Sequence, residues 1–205
     1  MSSTDSELEV KYHISDLSRC QESLQSLGAV LVKPRILEKN LRFDTPRGEL
    51  TKKEQALRLR QDDAAKVTYK GPSIDEGGAR LRQEYEFSVS DFQAAKKLFE
   101  ALGFQVFMLY EKFRTTYRFE GVEIVLDEMP YGDFLEIEGS DAQGIAAVSR
   151  SLGLDWDRRV FESYTLIFTH LREHFGWDFR DLSFANFHEL DPNLAVLGIL
   201  PADKG

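Results

Sequence analysis

Along much of the chain, charged and apolar residues alternate one for one, the period-two pattern of strands with one face on a core and the other on something polar. Leu8, Val10 and Tyr12 interleave with Glu7, Glu9 and Lys11; Leu57 and Leu59 with Arg58 and Arg60; Leu81, Tyr85 and Phe87 with Arg82, Glu84 and Glu86. The same alternation sets Val67 and Tyr69 against Thr68 and Lys70, and Phe113 against Lys112 and Arg114. It sets Ile124 and Leu126 against Asp127, and Leu135 and Ile137 against Glu136 and Glu138. Strands are predicted at the three Glu-x-Glu segments (Glu7/Glu9, Glu84/Glu86, Glu136/Glu138) and at Asn40–Asp44, Ala56–Arg60, Lys66–Lys70, Lys112–Phe119 and Val122–Asp127. Arg47-Gly48, Gly77-Gly78 and Glu120-Gly121 read as hairpin loops between them.

Each Glu-x-Glu strand is followed by a stretch with helix punctuation. Ser15-Asp16 to Leu27-Gly28, Ser90-Asp91 to Leu102-Gly103 and Ser140-Asp141 to Leu152-Gly153 share one spacing. An oxygen-bearing N-cap opens each, and a glycine suited to the left-handed C′ position closes it. A further helix is predicted over Arg158–Phe175, with Phe161, Tyr164, Ile167, Phe168, Leu171 and Phe175 at helical spacing. The class is therefore α+β, with about eight mostly hairpin-linked strands forming an antiparallel sheet able to close into a barrel. Residues 1–175 are expected to form one domain, and the aromatic segment 176–205, too short for its own core, to dock on it.

Composition narrows the chemistry. At −9 the chain is too acidic for a general nucleic-acid binder, which needs a basic face to displace counterions. No apolar run is long enough for a membrane helix, and the first residues carry no secretory pattern, so a cytoplasmic protein is expected. Cys20, the single cysteine, has no disulfide partner and no paired histidine, and His13 and His188 are isolated. His170, Glu173 and His174 match a short zinc-peptidase pattern that lacks a third ligand. Tyr110 and Tyr131 read as core or rim aromatics rather than stacking platforms.

The polar strand faces are almost wholly Glu, Asp, Arg and Lys, where a merely solvated sheet would favour neutral and β-branched residues. Like charges recur within strands. Carboxylates held together call for a divalent cation, and guanidinium and ammonium groups held together call for a polyanion. A site with both suits a metal-bound triphosphate, whose chemistry asks mainly for positioning and charge neutralisation.

The ordered series Glu7-x-Glu9-x-Lys11, Leu57-Arg58-Leu59-Arg60, Thr68-Tyr69-Lys70-Gly71-Pro72, Arg82-x-Glu84-x-Glu86, Lys112-x-Arg114, Leu126-Asp127 and Glu136-x-Glu138 resembles the CYTH superfamily. That group unites class IV adenylyl cyclases with thiamine triphosphatases and inorganic triphosphatases, and the resemblance covers roughly residues 6 to 170. It implies a closed eight-stranded antiparallel β-barrel around a polar tunnel, Mg²⁺ or Mn²⁺ as cofactor and a small triphosphate as ligand, in a family whose members are often homodimers. By motif, Glu136 and Glu138, with Asp127, correspond to metal ligands. Glu7 and Glu9 correspond to a second metal pair or to the groups that orient water. Lys11, Arg58, Arg60, Lys70, Arg82, Lys112 and Arg114 correspond to a phosphate cradle oriented by Glu84 and Glu86. The last helix carries Ser163-Tyr164, as relatives do, but no lysine over the tunnel, a place left to Arg158 or Arg159. The resemblance implies triphosphate hydrolysis. Adenylyl cyclisation and non-catalytic polyphosphate binding are the alternatives.

Overall fold

In the computed structural model, which describes residues 6–203, the alternating strands close on themselves. They are β1 (Ser6–Ile14), β2 (Val30–Asp44), β3 (Ala56–Gln61), β4 (Ala65–Glu76), β5 (Ala79–Val89), β6 (Gln105–Phe119), β7 (Val122–Met129) and β8 (Gly132–Glu138). Hydrogen bonding runs β1-β5-β4-β3-β2-β6-β7-β8 and back to β1, antiparallel at every step. The expected α+β fold with a closed eight-stranded barrel is therefore the observed one. Residues 1–5 and 204–205, the ends of the two segments expected from sequence, lie outside the described residues.

The helices start and stop where the punctuation places them. In α1 (Leu17–Ser26), α3 (Phe92–Ala101) and α4 (Ala142–Ser151) the caps are Asp16, Asp91 and Asp141, each accepting a first-turn backbone N–H. Gly28, Gly103 and Gly153 follow with φ of 82°, 92° and 71°, the left-handed conformation that terminates a helix without a Cβ clash. These helices lie outside the barrel. Leu24 of α1 and Ile145 and Val148 of α4 bury against the outward apolar residues of β1, β7 and β8. At the centre of that layer the Tyr12 hydroxyl donates to Ser149 Oγ at 3.0 Å, and Ser149 in turn donates to the Ile145 carbonyl. Tyr12→Phe should lower unfolding free energy by about 1 kcal/mol in urea denaturation, since one buried hydrogen bond is lost and the ring's packing is kept.

Three expectations need correction. The first is the strand expected at Asn40–Asp44, which begins ten residues earlier, at Val30. Register shifts and Pro34 disguise this upstream half; Pro34 is tolerated because β3 pairs with β2 only from Lys39, leaving an edge there. Second, Arg47-Gly48 is not a tight hairpin. The short helix α2 (Glu49–Lys52) fills the connection, and Asp44 holds it by accepting from the Thr45, Leu50 and Thr51 N–H groups. Third, the last helix, α5, spans Tyr164–Phe175 rather than starting at Arg158. Pairing of β1 with β5 ends at Glu9, so the far end of β1 has an open edge. Arg159 bridges to Tyr12 there, and the Val160 N–H donates to the Lys11 carbonyl at 2.8 Å. That pairing holds the segment extended, and Phe161, expected on the helix's apolar face, is 47% exposed.

Residues beyond Gly176 pack on α5 and the same end of the barrel. β7 reaches β6 only from Phe113, and Leu182 takes the vacated edge, donating to the Leu109 carbonyl and accepting from the Glu111 N–H. Leu182, Phe187, Leu194 and Ile199 bury with Met108, Met129, Phe134 and the α5 residues Ile167, Phe168 and Leu171. The Ala202 N–H closes on the His13 carbonyl. α5 is thus held between the barrel and a strap that crosses it. Among the described residues no helix is long and apolar enough to cross a membrane.

Candidate active site in the barrel interior

Directly opposed residues of an antiparallel pair share a face, so the register places the charged positions together inside the barrel. Glu7 opposes Arg82 and Glu9 opposes Arg80; Lys70 opposes Glu84 and Thr68 opposes Glu86. Arg58 lies between Thr68 and Arg42, and Arg60 between Lys66 and Asn40. Glu38 opposes Lys112, Arg114 opposes Asp127, Glu123 opposes Glu138, and Lys11 opposes Glu136. The interior encloses a cavity of about 480 Å³. Of the described residues lining it, ten are Lys or Arg and seven are Glu, so an acidic protein carries a net positive interior. Such a charged cleft concentrates anions.

The ionic contacts fall into groups. Asp127, fully buried, accepts from Lys112 Nζ at 2.9 Å, from Arg114 Nε and Nη2 at 2.6 and 2.5 Å, and from the Tyr164 hydroxyl at 2.9 Å. Four donors occupy its two oxygens, so it fixes cations and has little capacity left for a metal, the role sequence gave it by resemblance. Glu136 pairs with Lys11 at 3.3 Å and Arg114 at 2.8 Å. Burial opposes its ionisation, but Lys11, Arg114 and Lys112 outweigh burial and hold the carboxyl well below its usual range. Lys11 is 4% exposed, donates to the Glu162 carbonyl at 3.1 Å, and sits 4.1 Å from the centre of the Tyr164 ring.

On the neighbouring wall Lys70 bridges Glu7 at 2.5 Å and Glu84 at 2.8 Å, and Arg80 clasps Glu9. Burial and the adjoining Glu84 raise the Glu7 pKa against the pull of Lys70. Further round, Glu86 pairs with Lys66 at 2.8 Å and with Arg58 and Arg60 at 3.5 Å. Its pKa, which burial would raise, is brought down to about 2 by Arg60, Lys66 and Arg58. Glu84 and Glu86 thus orient cations, the part expected of them. Arg58 also donates to Tyr110 and Thr68, and Arg82 to the Gly71 and Glu54 carbonyls.

Glu138 is different. Among the described residues it has no cation within ion-pair distance; it is open to the cavity and faces Glu7 and Glu123. Its side chain stays exposed to solvent in the cavity, and desolvation by the surrounding barrel wall, followed by these like charges, pushes its pKa up to about 8. A carboxylate kept short of a cation beside two others is a hard-oxygen donor set that fits a divalent ion. Among the described residues no three such side chains are already gathered as a closed ligand set, and Lys70 holds Glu7 while Arg80 holds Glu9.

The expected residues Glu7, Glu9, Lys11, Arg58, Arg60, Lys70, Arg82, Glu84, Glu86, Lys112, Arg114, Glu136 and Glu138 all line the cavity. Sequence reading did not place Arg42, Lys66, Arg80 and Glu123 there, and it noted Tyr164 in the Ser163-Tyr164 pair without giving it a role. Lys66 and Arg80 extend a strand alternation by one step of two, Arg42 lies inside the strand expected at Asn40–Asp44, and Glu123 lies two steps from Asp127 with Val125 between them; Tyr164 arrives on α5, with no strand alternation to place it. Arg158 and Arg159 do not fill the place over the tunnel. Arg158 pairs with Asp155, Arg159 lies over the Trp156 ring, and neither lines the cavity. Tyr131 is a core residue bonded to the Tyr164 carbonyl. Burial pushes the Cys20 thiol up to about 12, as befits an inert packing residue.

The model of the CYTH domain matches residues 5–148. A Methanocaldococcus jannaschii protein named putative adenylate cyclase MJ0240 is 33% identical over 136 residues, 65% of this chain and 77% of that one. Among solved structures, a putative adenylate cyclase from Vibrio parahaemolyticus superposes with a TM-score of 0.72 at 20% identity, covering 82% of this chain and 99% of its own. HpAC1 from Hippeastrum, a putative adenylyl cyclase described as having a dominant triphosphatase activity, gives 0.64 at 20% identity over 80% of this chain and 95% of its own. At those identities the two structures support the fold.

Proposed function

This chain belongs to the CYTH family, and we propose that it hydrolyses a triphosphate, inorganic tripolyphosphate or a small organic triphosphate such as thiamine triphosphate, with a divalent metal. The observation that carries this reading is the pairing, in one cavity, of a cationic wall with a carboxylate, Glu138, that lacks a cation of its own. A phosphate binder without turnover has no use for carboxylates facing one another. Enzymes of this family generally use divalent metals, and Glu136, Glu138, Glu7 and Glu9 are the residues that would hold Mg²⁺ or Mn²⁺ here. When bound, such an ion neutralises phosphate oxygens and acidifies water.

The chain's own part is binding and orientation. Arg58, Arg60, Lys66, Lys70 and Arg82 offer N–H groups along one wall, and Lys11, Lys112 and Arg114 along the other. Several are already committed to carboxylates that fix their direction, so little reorganisation is needed when a polyanion enters. As the terminal phosphoanhydride bond breaks, negative charge builds on the bridging oxygen that leaves with the diphosphate, and these same cations stabilise it. Arg58→Ala removes a bidentate-capable donor and leaves Glu86 to Arg60 and Lys66. Tripolyphosphate affinity should fall about 10–100-fold, as a raised KM with a smaller change in kcat.

A second reading, cyclisation of ATP to cyclic AMP and diphosphate, is favoured by the name that the M. jannaschii relative carries. Both would use the same cavity and differ in which phosphorus is attacked. Incubation with tripolyphosphate, thiamine triphosphate or ATP, with Mg²⁺ or Mn²⁺ and with EDTA controls, separates them. Metal-dependent phosphate release without cyclic AMP supports the hydrolase. Cyclic AMP with diphosphate from ATP supports the cyclase, and binding without turnover overturns both.

A further inference from the structure

We infer that Tyr164 is a positioning residue for the phosphate-facing cations: its ring seats Lys11, and its hydroxyl, through Asp127, sets Lys112 and Arg114. The inference rests on the triphosphate reading of the cavity. It concerns a residue that lies outside the segment matched by the family model and enters the barrel from α5.

The argument begins with where the cations' hydrogens go. Lys11 Nζ has three N–H groups. One reaches the Glu162 carbonyl and one Glu136, and the Tyr164 ring face lies 4.1 Å away to take the third. The ring is a neutral partner, which fixes the ammonium without cancelling its charge. Lys112 Nζ lies 5.4 Å from the same ring centre. At Asp127 the Tyr164 hydroxyl shares Oδ2 with Lys112 and Arg114. A phenol occupying part of that oxygen leaves the two cations less fully committed to it, so they can still turn N–H groups towards a phosphate.

The fold goes to some length to hold this side chain. Tyr131 donates to the Tyr164 carbonyl at 2.9 Å, Arg42 donates to Thr165 at 2.8 Å, and Phe134 packs edge-on against the Tyr164 ring at 5.1 Å. The strap from Leu182 to Ala202 then clamps α5 against the barrel end. A helix needed merely as a plug would be served by an apolar residue at 164, where the present one carries a buried hydroxyl aimed at the Asp127 cluster.

The test is tripolyphosphate binding by titration calorimetry in EDTA, so that no metal contributes, on wild type, Tyr164→Phe, Tyr164→Leu, Lys11→Met and the Tyr164→Leu/Lys11→Met pair. Thermal melts confirm that each is folded. Tyr164→Phe keeps the ring and should weaken binding about 3–10-fold, whereas Tyr164→Leu loses ring and hydroxyl and should weaken it about 10–100-fold. With Lys11→Met in place, the cost of Tyr164→Leu should shrink to that of Tyr164→Phe, because the ring then has no ammonium to seat. Equal costs of Tyr164→Leu with and without Lys11, or wild-type affinity in either Tyr164 variant, would overturn the inference. If Tyr164→Leu does not fold, Tyr164→Phe decides alone. A wild-type protein that fails to bind tripolyphosphate overturns the triphosphate reading and, with it, the role of Tyr164; binding by wild type with unaltered Tyr164 variants overturns the second alone.

Discussion

Glu138→Gln should reduce metal-dependent phosphate release from tripolyphosphate by more than the about 10–100-fold that loss of an outer-sphere partner of a metal typically costs. Tripolyphosphate should still bind in EDTA. The two readouts separate because Glu138 has no cation within ion-pair distance among the described residues, so its neutralisation releases no Lys or Arg from the cradle. Above about pH 8, where Glu138 is ionised, affinity in EDTA should even rise modestly, since a negative charge facing the polyanion is then gone. The same substitution changes the pH dependence of stability without metal. The Glu138 pKa is pushed up to about 8 in the folded protein by desolvation and by Glu7 and Glu123, and solvent screening of this exposed side chain keeps the accompanying stability change small. Between its ordinary value and about 8 the native state therefore holds a proton that the unfolded chain has lost, and stability falls as pH rises through that window. In thermal melts in EDTA the Tm difference between Glu138→Gln and wild type should move slightly in the variant's favour from pH 5 to pH 8. Undiminished turnover in the variant would remove Glu138 from the metal site, and a Tm difference constant with pH would remove the electrostatic account of its position.

The alternation that places Glu138 beside Glu7 was legible because a strand offers two faces: once Leu135 and Ile137 are assigned to the core, Glu136 and Glu138 must face the interior. The same logic placed the cradle residues, and Lys66 and Arg80 needed only one more step along their strands, whereas apolar Val125 interrupts the face that carries Glu123 and Asp127. The upstream half of β2 was not legible. Pro34 and two irregularities in register interrupt its period, and its pairing with β6 is a long-range fact. The start of α5 was hidden because Arg159 and Val160 carry helix-compatible side chains, yet serve a backbone edge on β1 that the barrel's stagger leaves open. Periodicity also cannot say whether an inward carboxylate faces open space or is consumed. Glu138 and Asp127 read alike in sequence; the first lacks a cation, whereas the second is surrounded by two cations and a phenol that arrives from a remote helix.

Asp127→Asn should destabilise the protein by about 3–5 kcal/mol, the range for breaking one side of a buried ion pair. The reasoning turns on what is left behind. Lys112 is 2% exposed and Asp127 fully buried, so solvent does not replace the lost charge. Without the carboxylate, Lys112 retains Glu38 at 3.7 Å and Arg114 retains Glu136 at 2.8 Å, while the asparagine NH₂ would point a donor at donors. Lys112→Met in the Asp127→Asn background should recover part of the loss, since it removes a buried cation that has become underpaired. A surface pair supplies the contrast: Lys96 and Glu100 lie at 2.5 Å on an exposed helix face, and Lys96→Ala should cost no more than about 0.5 kcal/mol despite the shorter distance. Urea denaturation measures all of these. If Asp127→Asn costs as little as Lys96→Ala, the Asp127 cluster does not hold the cradle together; if it costs several kcal/mol and Lys112→Met offsets part of it, the cations of the tunnel owe their positions to a carboxylate that is itself beyond the reach of solvent.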